Sequence, residues 1–148
     1  MKKGVDYIGV GCGAMIFNSA GKVFVSKRGK GVRNEVGKWD FPGGGVKFGE
    51  RCEDALKREI REEHDIEIEV VDLLEVVDHI IPEEKQHWVS PSYIAKLVSG
   101  EAKILEPEKC EEMKWINLSE INLEMLTLTS KSDFNKYIEK FGYNSPAF

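Results

Sequence analysis

The chain has 148 residues, about the length of one domain, and 41% of them are hydrophobic, enough to fill one packed core. With 26 acidic and 21 basic side chains the formal charge is -5, which excludes broad attraction to nucleic-acid polymers or anionic membranes, so any phosphate must be gripped locally. Cys12, Cys52 and Cys110 are scattered free-thiol candidates, residues 1–7 lack a signal-peptide core, and no run approaches the ~20 apolar residues of a membrane span, which together point to a soluble cytoplasmic protein.

In chain order, residues 7–17 alternate as a strand, with Ile8, Val10, Cys12, Ala14 and Ile16 on one face and Gly9, Gly11 and Gly13 on the other. A glycine face signals either close approach by a backbone or ligand, or a bulge. Residues 18–21 are turn chemistry, and Val23, Phe24 and Val25 make a return strand. The loop from Lys27 to Lys38 carries Lys27, Arg28, Lys30, Arg33 and Lys38, either as solvated charge or as phosphate contacts.

Residues 39–42 read as a short strand ending in Gly43-Gly44-Gly45, followed by a helix over 51–64. Residues 66–81 are extended, with a break expected near Asp72, and 87–98 form another strand that Pro91 demotes toward an edge or bulge. In that strand His87 and Trp88 fit core packing better than contact with a nucleobase. Residues 113–116 form a last strand. Phe134, Tyr137, Ile138 and Phe141 then define an amphipathic helix capped by Ser130 or Ser132 and stopped by Gly142. Strands on both sides of a helix, with a second helix at the end, predict one domain over 1–148 of α+β class, a mixed sheet covered by helices.

On a helical wheel Cys52, Ala55, Leu56 and Ile60 share an apolar stripe, and Glu59 and Glu63 fall within it. Carboxylates on the inward stripe need a counter-charge. Ordinary ion pairs with Lys57, Arg58 and Arg61 are one source of it. The other is a divalent cation: Glu59 and Glu63 lie one turn apart with Glu62 flanking them, a hard-oxygen set suited to Mg2+ bridging to phosphates. Glu50, just ahead of the helix, is placed to accept free amide hydrogens or orient a water.

Gly44, Glu50 and the run Arg58-Glu59-Ile60-Arg61-Glu62-Glu63-His64-Asp65-Ile66 resemble the 23-residue signature of the Nudix hydrolases, with every fixed acid present. Asp65 departs from the pattern, standing where the family usually has glycine, a modest stability cost at a left-handed position. Residues 39–44 resemble the strand and turn of MutT-like members, and 106–115 resemble a later segment of the triphosphate-cleaving subgroup, so the likeness runs from about residue 8 to 142.

The resemblance implies the α/β/α sandwich of the Nudix fold and one or more Mg2+ or Mn2+ ions. Carried across residue by residue, Glu59 and Glu63 are principal metal ligands, Glu62 a further ligand or base, and the Gly44 carbonyl completes the shell. Arg58 orients the glutamates, and Glu50 supports the metal water or the loop. Arg28, Arg33, His87 and Trp88 are candidate substrate contacts. The expected reaction is hydrolysis of a nucleoside triphosphate, a small-molecule substrate, to monophosphate and pyrophosphate. ADP-ribose or dinucleotide cleavage, or nucleotide sensing without catalysis, are the alternatives, and a homodimer is an expected assembly.

Overall fold

The computed structural model describes all 148 residues. Its seven strands are β1 (Gly9–Phe17), β2 (Val23–Arg28), β3 (Trp39–Asp40), β4 (Gly43–Gly45), β5 (Glu67–Ile81), β6 (Gln86–Ser99) and β7 (Cys110–Ile116), with helices α1 (Cys52–His64) and α2 (Leu128–Phe141). The strands join one mixed sheet with the path β3-β2-β1-β6-β5, while β4 pairs with β1 and β7 with β2. Only the β1–β6 ladder is parallel.

Each sheet face is closed by one helix, giving the expected α/β/α sandwich. Under α1, Cys12, Ala14, Ile16, Phe24, Tyr93 and Ala95 pack against Ala55, Leu56 and Ile60. Under α2, Met15, Phe17, Val25 and Ile94 pack against Phe134 and Tyr137, whose ring lies 5.4 Å from that of Phe17. Alternate residues of β1 thus feed two cores, as a pleated strand in mid-sheet requires.

The sheet differs from the sequence reading in several places. Ile8 and Val10 are exposed, so the apolar face of β1 begins only at Cys12. The hairpin between β1 and β2 is bridged only at Phe17↔Val23, and β2 spends its length on β7 instead. Pro91 lies in an interior strand: β1–β6 pairing lapses between Val10↔Val89 and Gly13↔Ser92, so the missing amide breaks no ladder bond there. The expected interruption near Asp72 is a register shift between Val70 and Asp72, and β5 continues through it to Ile81.

The cap of α2 is Thr127, whose hydroxyl accepts from the Ser130 amide, rather than Ser130 or Ser132. The Ser130 hydroxyl is already used, accepting from the Phe41 amide at 3.0 Å. Gly142 ends the helix at φ 65°, as expected. Asp65 follows α1 at φ 56°, ψ 38°, the left-handed residue that the sequence departure implied.

Candidate active site

The glycine face of β1 is closely approached at Gly9, and at Gly11 and Gly13 it is regular strand paired with β4. Strand β4 lies antiparallel to it, Gly11↔Gly45, Cys12↔Gly44 and Gly13↔Gly43, and a methyl group on Gly43 would collide with the Cys12 carbonyl. One on Gly44 would collide with the Glu59 carboxylate, and one on Gly9 with the Trp88 ring. Side chains are therefore excluded at Gly9, Gly43 and Gly44, while Gly11 and Gly13 leave room for ordinary contact.

Helix α1 places its acids unequally. The Glu59 and Glu63 side chains are only 13% and 14% exposed, whereas Glu62 is 49% exposed and turned to Arg58. No three His, Cys, Asp or Glu side chains converge as a ready-made metal site. The structure brings together two carboxylates and the Gly44 backbone, and leaves Glu62 one step outside.

Burial, followed by the charge of Glu59 and a hydrogen bond with it, pushes the Glu63 carboxyl well above the ordinary carboxylate range. On its far side His64 is fully buried, its Nδ1 lies 2.9 Å from the Lys103 carbonyl, and burial holds the ring below its ordinary value, so it supplies no cationic partner. Two inward carboxylates side by side are the donor set that a hard cation would satisfy, with Mg2+ keeping several waters beside few protein oxygens.

Arg58 ties the surrounding acids into one piece. Its Nε and Nη2 donate to the two Glu50 oxygens at 2.7 and 2.9 Å, Nη1 to Glu59 at 2.9 Å and Glu62 at 3.2 Å, and Nη2 also to the Gly45 carbonyl at 3.1 Å. This bidentate grip, helped by the Lys47 amide, holds the Glu50 carboxyl down at about 2. Cys12 donates its thiol to the Gly44 carbonyl at 3.5 Å, and burial raises that thiol to about 12, leaving it protonated.

The acids open onto a cavity of about 220 Å³ that runs between β1, β4, the 28–38 loop and the start of α2. Of the predicted substrate contacts, Arg28, Arg33 and Trp88 line it, and His87 does not. Arg28 ends β2 and is engaged internally, with Asp40 at 2.9 Å and with the Asn34 carbonyl and side chain at 2.9 and 3.0 Å. Trp88 is buried, donates to Gln86 at 2.9 Å, and carries the Arg33 guanidinium 4.2 Å from its ring centre.

Several lining residues escaped sequence reasoning. Glu35, at φ 48°, faces His79 Nε2 at 2.8 Å and accepts from the Leu128 amide at 2.8 Å, clipping the loop to β5 and α2. Asp133 is 2% exposed with one carboxyl oxygen unpartnered, and burial holds its carboxyl well above the ordinary range. The left-handed non-glycine at 35 leaves no trace in sequence. Asp133, an acid on the core side of a predicted helix, was a signal of the same kind as Glu59.

A strand, a run of close glycines and a helix with inward acids open together on one polar cavity, a donor set suited to a hard cation and phosphate oxygens. The family model for the NUDIX domain matches residues 8–137. A MutT NUDIX hydrolase of Burkholderia pseudomallei superposes with a TM-score of 0.80 at 37% identity, covering 88% of this chain and 98% of that one. An RNA pyrophosphohydrolase of Sphingopyxis alaskensis is 26% identical over 88% of this chain and 90% of its own length. An 8-oxo-dGDP phosphatase of Danio rerio is 33% identical over 70% of this chain, which spans only 29% of that protein. The chain belongs to the Nudix hydrolase family and is a pyrophosphohydrolase. Enzymes of this family generally use divalent cations.

Proposed function

We propose that the protein hydrolyses a nucleoside triphosphate to the monophosphate and pyrophosphate. The observation that carries this reading is the buried Glu59–Glu63 pair beside Gly44, lining the 220 Å³ cavity together with Trp88 and Arg33. Glu59, Glu63 and the Gly44 carbonyl would hold Mg2+ or Mn2+, with Glu62 as a further ligand or the base. When bound, such an ion lowers the pKa of water and offsets charge on phosphate oxygens.

The chain's own residues do the rest. Arg58 fixes Glu59 and Glu62 in place and keeps Glu50 ionised, so that Glu50 orients the attacking water or the loop. Glu62, whose Oε2 alone is held by Arg58, would keep its other oxygen for the water's proton. Trp88, buried beneath Arg33, would act by holding that guanidinium for the terminal phosphates. Arg28 acts on the substrate through the wall it builds with Asp40 and Asn34, and His87 has no place in the cavity.

The -5 net charge favours a free nucleotide over a polymer, and residues 1–148 would act as one cytoplasmic domain able to pair as a homodimer. A second reading, removal of pyrophosphate from the 5′ end of RNA, is favoured by the full-length likeness to an RNA pyrophosphohydrolase. Incubation with a panel of nucleotides, ADP-ribose and triphosphorylated RNA in Mg2+ or Mn2+, followed by product analysis, decides. Monophosphate plus pyrophosphate from a free triphosphate is expected, and preferential turnover of RNA or ADP-ribose would overturn the leading reading.

A further inference from the structure

The segment ahead of β1 precedes the family match, which starts at residue 8, yet it is folded onto the site. Gly4, at φ +81°, donates its amide to the Tyr7 carbonyl at 2.7 Å and accepts from the His87 amide at 2.8 Å. A side chain at Gly4 would collide with Trp88, so the turn lies flat on that ring. It delivers Lys3, which donates to the Val46 carbonyl at 2.9 Å and holds its ammonium 5.8 Å from the Trp88 ring centre.

Lys3 and Arg33 therefore meet at one aromatic ring, and neither forms an ion pair with any carboxylate of the protein. The neighbouring cations Arg28, Arg58 and Lys109 are by contrast each held by a carboxylate. Gly45, which lines the cavity, leaves the approach open: a methyl group there would sit 3.3 Å from Lys3 Nζ. Arg33 and Trp88 thus line the cavity together with the carboxylate pair, and the Lys3 ammonium stands beside its wall at the bare backbone of Gly45.

We propose that Lys3, supplied by the segment outside the matched domain, binds the phosphate chain of the substrate together with Arg33. The inference rests on the proposed phosphorylated substrate and adds a residue to its site. A polyphosphate reaching from Glu59 and Glu63 toward Trp88 leaves oxygens beyond the reach of a cation held by the acids, and Lys3 and Arg33 are the charges available to them. Lys3 is a point charge with two N–H groups left after its bond to Val46, which suits a phosphate oxygen.

Calorimetric titration of inorganic tripolyphosphate, once with Mg2+ and once with EDTA, into wild type, Lys3→Met, Lys3→Arg and Arg33→Met tests this without turnover. Lys3→Met keeps an unbranched side chain of similar length and removes the charge, so thermal stability should hold while affinity falls about tenfold, as for loss of one charge-assisted contact. Lys3→Arg should restore most of it. Equal affinity in wild type and Lys3→Met, no binding to wild type in either buffer, or a loss matched by lower thermal stability and not restored by arginine would each overturn the proposal. Failure of the nucleotide panel with Lys3-dependent tripolyphosphate binding intact would sink the proposed substrate and leave this site standing.

Discussion

Gly44 is held so close to Glu59 that the methyl group of Gly44→Ala must displace the carboxylate. The obstructing atom is the end of a flexible side chain, so the fold should survive while one oxygen ligand moves. Activity is expected to fall by about two orders of magnitude with little change in the melting curve, which steady-state kinetics beside a thermal melt would check. Retained turnover would place the reacting oxygens elsewhere. Arg58 permits a second prediction at this scale. The Glu50 carboxyl is depressed from 4.5 to about 2, so its contribution to stability is fully present above 4.5 and is lost as pH falls toward about 2. In Arg58→Met that acid-side loss should flatten, read from urea midpoints across acid pH, and an unchanged profile would show that the pairing contributes nothing to folding.

The end of α1 carries the next prediction. Asp65 sits at φ 56° with only a 3.4 Å surface contact to Lys103, a conformation that glycine adopts without strain. Asp65→Gly should raise stability by about 0.5–1 kcal/mol with activity unchanged, measured by urea denaturation, because relief of the left-handed strain exceeds the entropy added to the unfolded chain. This cost was visible in the sequence, as was α1 itself, because the 3.6-residue period, the inward Glu59 and Glu63 and the glycine run all lie within 23 consecutive residues. What was not legible depends on distant partners. The choice of β7 over β1 as the main neighbour of β2, the parallel β1–β6 register and the interior place of Pro91 are decided by tertiary packing. The same holds in the site. Arg28 looked like loop charge until Asp40 and Asn34 were brought to it, and His79 became a cavity residue only because Glu35 takes a left-handed turn to meet it.

For the whole molecule, a cation held by the acid pair would couple its binding to folding and to protonation. Burial and the neighbouring Glu59 raise the folded pKa of Glu63 above its unfolded value, so the native state binds more protons across that interval. The contribution of Glu63 to the stability of the metal-free protein is therefore fully present below the ordinary carboxylate pKa and is lost as pH rises through the elevated folded value, opposite in direction to that of Glu50. A cation binding only the folded state adds stability by mass action, about 2.7 kcal/mol at a hundredfold excess over its dissociation constant. Protons and cation compete for the same oxygens, so the gap between melts in EDTA and in Mg2+ should widen with pH. Glu63→Gln removes both the competing proton and one ligand. It should melt higher than metal-free wild type on the alkaline side, show little response to Mg2+ and lose about two to three orders of magnitude in turnover. Parallel curves for wild type in EDTA and Mg2+ at every pH, or a Glu63→Gln melt as cation-sensitive as wild type, would mean that the ion is held away from the pair on α1 and that the buried carboxylates serve another purpose.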